Sequence, residues 1–191
     1  MNDINLIEKH FLEHETVLKS INKYTKKKIS RAAEIISKSL KNKGTVYWCG
    51  NGGSASDSLH LSTELIGRFN KNRKPLKSVS LASNSTSLTC IANDFGYDKI
   101  FSRQLEALGK KGDIVIALST SGNSENILQT LNQAKKNRVY SISFLGKNGG
   151  KCKDKADLEI LINSKSTARI QEMHITIGQI ICDLIEKKLK L

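Results

Sequence analysis

Four hydroxyls crowd into six residues at Ser119-Thr120-Ser121-Gly122-Asn123-Ser124, a density of short donors suited to the oxygens of a phosphate. The segment has no lysine and no Walker spacing, so it suits a monoester on a small molecule better than a nucleoside triphosphate with its magnesium. A second loop, Gly50-Asn51-Gly52-Gly53-Ser54, has glycines that admit a ligand close to the backbone. Its Asn51 and Ser54 can hydrogen-bond the hydroxyls of a sugar. Farther along, His60 and Glu64 stand four residues apart and so share one face of a helix. Such a pair can grip a divalent metal, or the carboxylate can act as a base beside the imidazole. Taken alone, the spacing also fits a solvated surface pair; what favours chemistry is the glycine loop that begins the same helix.

Each loop needs a strand before it and a helix after it. Ile114 to Leu118 is a continuous apolar run of mostly β-branched residues, as expected of a parallel strand covered on both faces. From Glu125, apolar residues at 127, 128, 131 and 134 keep helical spacing. The hydroxyl loop therefore lies between a strand's carboxyl end and a helix's amino end, where unpaired N–H groups and the helix dipole favour an anion. The pattern repeats at the glycine loop, between the strand Thr45–Cys49 and a helix from about Ala55 to Phe69. Two such loops in one small sheet lie at the same edge, the edge where open α/β sheets bind ligands.

Further strands are expected at Ser78–Ala82, Tyr140–Leu145 and Leu158–Ile162, with helices over residues 84–91 and 101–108. Alternating strands and helices predict a parallel sheet covered on both faces, in a single domain spanning residues 1–191. Residues 2–40 read as two amphipathic helices, an extension suited to a subunit interface. Asn93-Asp94 stands before an aromatic–glycine turn at Phe95-Gly96, where it can serve as a cap, and Arg68–Lys77 is expected to be a basic, solvent-exposed connection. The last helix, from about Ala168 to Leu189, carries Gln171, Glu172, His174 and Gln179, with Gly178 as a weak spot.

Composition excludes several classes. No stretch reaches the roughly 18 apolar residues of a membrane helix and the start lacks a signal-peptide apolar run, so a cytoplasmic protein is expected. Cys49, Cys90, Cys152 and Cys182 form no CxxC pair and read as buried free thiols. The net charge of +13 comes from lysines scattered along the chain without interleaved aromatics. That argues for solvated charge favouring anionic ligands and against a nucleic-acid face.

Together, Cys49-Gly-Asn-Gly-Gly-Ser54, His60 with Glu64, Asn93-Asp94-Phe-Gly, Ser119-Thr-Ser-Gly-Asn-Ser124 and Arg169-Ile-Gln171-Glu-Met-His174 make the chain resemble the phosphoheptose isomerases. These are sugar isomerase (SIS) domain proteins, and the resemblance covers essentially the full length. It implies a flavodoxin-like three-layer α/β/α sandwich with a five-stranded parallel sheet. It also implies a homotetramer with active sites between subunits. The implied reaction turns sedoheptulose 7-phosphate, a phosphorylated seven-carbon sugar, into glycero-manno-heptose 7-phosphate through an enediol, toward the heptose of lipopolysaccharide or other surface glycans. By the same resemblance, Ser119, Thr120, Ser121 and Ser124 hold the phosphate, and Asn51, Gly52, Gly53, Asn93 and Asp94 hold the sugar. His60, Glu64 and Gln171 are then ligands of one zinc ion (Zn2+), with Glu64 also the base.

Where this family has a second histidine, as zinc ligand and acid–base partner, the sequence has Gln179. A glutamine can coordinate through its amide oxygen but does not titrate near neutral pH. Gln171 and Gln179 lie about 12 Å apart along an ideal helix. For both to reach one site, either the helix starts after Gln171 or two subunits contribute. Two other readings share the fold: a non-catalytic SIS protein that binds the DNA replication initiator, and a sugar-phosphate sensor.

Overall fold

The computed structural model describes residues 2–191. Its centre is a five-stranded, all-parallel sheet in the order β2-β1-β3-β4-β5, formed by β1 (Val46–Cys49), β2 (Ser78–Ser80), β3 (Ile114–Ser119), β4 (Tyr140–Gly146) and β5 (Leu158–Ile162). Every residue of β1 and β3 is buried, which is why both read as unbroken apolar runs. Side chains alternate between two cores. Val46, Trp48, Ile114, Ile116 and Leu118 face one layer, while Tyr47, Cys49, Val115 and Ala117 face the other.

The first layer holds α2 (Lys23–Lys41), α3 (Gly53–Ile66) and α7 (Thr167–Leu189), with α1 (Asp3–Lys19) outside it; the second holds α4 (Ser85–Phe95), α5 (Ser102–Leu108) and α6 (Glu125–Asn137). Of the two amino-terminal helices, α2 is an integral part of the sandwich, burying Ile29, Ala32, Ala33 and Ile36. On α1, only Val17 is buried, and Ile4, Leu6, Ile7, Phe11 and Leu12 stay exposed. No described helix is long and apolar enough to cross a membrane.

Helix α7 is continuous through Gly178, whose missing side chain leaves room for Leu61 of α3. Gly178 is thus a packing requirement, and the expected weak spot does not break the helix. The Arg68–Lys77 connection is mostly exposed, as expected, but the side chain of Arg73 is not. Arg73 is 2 % exposed and pairs with the equally buried Glu186 at 3.0 Å. Glu186 in addition accepts from the backbone N–H groups of Phe69, Asn70 and Lys71. A carboxylate on α7 thus collects the donors of a loop that would otherwise need water. Of the four cysteines, Cys49, Cys152 and Cys182 are buried as expected, and burial pushes their thiols up; Cys90 is exposed.

Candidate active site

In the order β2-β1-β3-β4-β5 the chain reverses direction between β1 and β3, which opens a crevice at the carboxyl ends of those two strands. The loops of interest leave those two ends. Gly52 begins α3 at φ 54°, ψ −122°, a conformation open to glycine alone, and no side chain caps the helix. Gly122 in the second loop has φ 66°, and a β-carbon there would overlap the carbonyl of Gly149. The second loop is further fastened to the turn after β4 by Cys152 N–H, which donates to the Gly122 carbonyl at 2.8 Å, and by Lys151 N–H, which donates to Asn123 Oδ1 at 3.0 Å.

Within the second loop, Ser119 Oγ accepts from Gly122 N–H at 3.0 Å and meets Ser124 Oγ at 3.4 Å, while Ser121 Oγ accepts from Asn123 N–H. Ser124 is the N-cap of α6 by its backbone, yet its hydroxyl makes no cap bond. The Ser124 hydroxyl, held only by its long contact to Ser119, and the half-buried Thr120 hydroxyl therefore stand beside the first turn of α6. That combination of hydroxyls, N–H groups and a helix amino end can take a phosphate.

The two loops are held together by a pair that the sequence did not reveal. Asn51 Nδ2 donates to Asn126 Oδ1 at 2.9 Å, and Asn126 Nδ2 donates back to Asn51 Oδ1 at 2.8 Å. Tyr97 OH donates to the same Asn51 oxygen at 3.0 Å. The carbonyl oxygen of Asn51 is saturated, and one N–H remains for a ligand. Asn126 looked like an ordinary helix residue because its partner is 75 positions away. Helix α4 runs past the expected end near Ile91 to Phe95, so Asn93 and Asp94 lie in its last turn, just before Gly96. Both are exposed, and Asn93 donates to Asp94 at 2.7 Å.

Along α3, Gly53, Asp57, His60 and Glu64 form one stripe by their spacing of four, three and four. His60 Nε2 and Glu64 Oε1 are 2.9 Å apart, with Glu64 the more buried of the two. Asp57 is half-buried, with one carboxylate oxygen fully buried and unpartnered; burial pushes its carboxyl up and the nearby His60 opposes this. The 57-60-64 spacing was the available signal for this residue.

Gln171 sits at the start of the same stripe, its amide lying directly over Gly53. From there His60 is seven residues on, about 10 Å along α3. Because α7 begins at Thr167, the helix does not start after Gln171. Gln171 and Gln179 therefore stand about 12 Å apart on one rigid rod and point some 80° apart. Gln179 is half-buried and bonds no side chain among the described residues. Zinc wants four ligands. As they stand, His60 and Glu64 supply two, and no cluster of three His, Cys, Asp or Glu occurs among the described residues. One chain does not complete the set. His174 lies in the core, its Nε2 3.3 Å from the Leu145 carbonyl, and burial pushes its pKa down to about 4, which removes it as an acid–base group for the crevice.

Known proteins are similar to the chain in sequence and fold. A family model described as "SIS domain" matches residues 10–146. The chain is 45% identical to a phosphoheptose isomerase of a Nitratiruptor species, over 95% of this chain and 97% of that one. It is 43% identical to one of Helicobacter pylori, over 96% and 95%. The solved phosphoheptose isomerase of Neisseria gonorrhoeae superposes with a TM-score of 0.91 at 35% identity, covering 97% of this chain and 100% of that chain. One from Francisella tularensis gives 0.94 at 30% identity, covering 98% and 100%. With the family model matched over residues 10–146 and relatives 43–45% identical over nearly the whole length, the chain belongs to the phosphoheptose isomerase family of SIS domain proteins.

Proposed function

We propose that the chain interconverts sedoheptulose 7-phosphate and the aldose glycero-manno-heptose 7-phosphate through an enediol. The hydroxyl loop Ser119–Ser124 and the amino end of α6 hold the phosphate, and Asn51, Gly52, Gly53 and Ser54 border the sugar. Glu64 takes the proton from C1 of the ketose while the C2 oxygen gains one, giving the enediol. Return of the proton to C2, with loss of the O1 proton, gives the aldose. His60, bonded to Glu64, orients the carboxylate. The reading rests on one observation: the reciprocal Asn51–Asn126 bonds place the phosphate loop beside the loop that begins the Asp57-His60-Glu64 helix.

Zinc needs donors beyond His60 and Glu64, and the exposed apolar face of α1, with Phe11 71 % and Leu12 62 % exposed, favours an oligomer whose neighbour brings them. A homotetramer, supply of heptose for surface glycans and a cytoplasmic place all belong to this proposal. The retained His60–Glu64 pair favours an enzyme over a non-catalytic binder of the replication initiator or a sensor.

The test is turnover of sedoheptulose 7-phosphate by the wild type, Glu64→Gln and Gln179→His, with zinc measured in each. Glu64→Gln should lose about 10²–10⁴-fold in kcat. An inactive wild type that still binds the sugar phosphate would leave a sensor; an inactive wild type that captures the initiator would leave the binder.

A further inference from the structure

Lys38, Lys43, Lys77, Lys110, Lys111 and Arg138 line one cavity of about 480 Å³ at the amino-terminal edge of the sheet, opposite the two ligand loops. The volume is that of a small-molecule site. Its one acid, Asp113, is buried and spends both oxygens on the backbone: Oδ1 accepts from Thr45 N–H at 2.8 Å, and Oδ2 from Lys110 N–H at 3.0 Å. None of the six cations forms an ion pair among the described residues. Helices α2, α5 and α6 end at this edge, and their carbonyl ends bring roughly half a negative charge each. With Asp113 they offset about two and a half of the six positive charges, so an excess above three remains.

Two of the cations also sit where the backbone favours another residue. Lys43 and Arg138 hold φ 64° and 57° after the ends of α2 and α6, the left-handed position usually given to glycine or asparagine. Lys77 Nζ donates to the Lys43 carbonyl at 3.2 Å, which ties two walls together. In the same wall, burial pushes the Tyr140 phenol up, with Asp157 adding and Arg31 opposing, so its hydroxyl stays a donor.

We propose that this cavity is a second anion site, for a small molecule carrying a chain of two or more phosphates. A single monoester brings about two negative charges and would leave the excess unbalanced. Flexible lysines around a wide cavity also suit a charged chain better than one fixed tetrahedron.

Calorimetric titration of the full chain with sodium tripolyphosphate, and separately with ATP, tests this. One tripolyphosphate should bind per chain, and Lys43→Asn, Lys110→Gln and Arg138→Asn combined should weaken it at least tenfold without altering isomerase turnover. Removing equal charge at Lys26, Lys27 and Lys28 (each →Gln) should leave binding unchanged. ATP binding tighter than tripolyphosphate identifies a nucleotide, and weaker binding an inorganic chain. The proposal is overturned by absence of saturable binding, by equal loss in both triple variants, by loss on Ser121→Glu instead, or by binding confined to long RNA.

Discussion

Asn51 and Asn126 bond each other twice, amide to amide, at 2.9 and 2.8 Å across the switch point of the sheet. Asn126 is 2 % exposed and Asn51 half-buried; without Asn126, Asn51 loses both amide bonds and keeps only the one from Tyr97. Asn126→Ala should therefore cost about 1–3 kcal/mol in stability. It should also raise KM for the sugar phosphate at least tenfold as the loops part. A drop in Tm with an unchanged KM would reduce the pair to a structural clasp.

Gly122 and Gly112 both have positive φ, but only at Gly122 would a β-carbon run into backbone. Gly112→Ala carries the conformational cost alone, about 1–2 kcal/mol. Gly122→Ala adds the collision with Gly149, about 1–3 kcal/mol more. Urea midpoints of the two variants measure the difference, and equal midpoints would show that the turn after β4 moves freely.

His174 is neutral in the core, its pKa pushed down to about 4 from 6.5. The unfolded chain binds this proton more readily, so stability is full above about pH 6.5 and falls as the pH drops from there toward 4. The loss amounts to about 3 kcal/mol in all. Urea midpoints of the wild type should decline over that window, and those of His174→Asn should decline less. Parallel curves would assign the acid sensitivity to other groups.

Glu186 is pushed up by burial, but the N–H groups of Asn70, Phe69 and Lys71 and the Arg73 guanidinium outweigh that and hold its carboxyl low. Glu186→Gln leaves Arg73 buried without its counter-charge and should cost about 3–5 kcal/mol. Arg73 also donates to the Glu64 carbonyl at 2.8 Å, so kcat should fall along with stability. Thermal unfolding and turnover of the variant, measured together, check both.

The sequence alone determined the five strands, the two loops at strand ends and the His60–Glu64 spacing, because each is written in neighbouring residues. Continuous apolar runs mark covered strands, and dense hydroxyls or glycines mark a turn that approaches a ligand. Tertiary structure decided everything that depends on distant partners. It paired Asn51 with Asn126, sank Arg73 of an otherwise exposed loop onto Glu186, and carried α4 through Asn93 and Asp94. It also set Gln171 over Gly53 and gathered six scattered cations into one cavity. Local patterns survive in a string of letters because backbone periodicity is local. Which charges and amides meet is settled by how the layers pack, and no neighbouring residue records that.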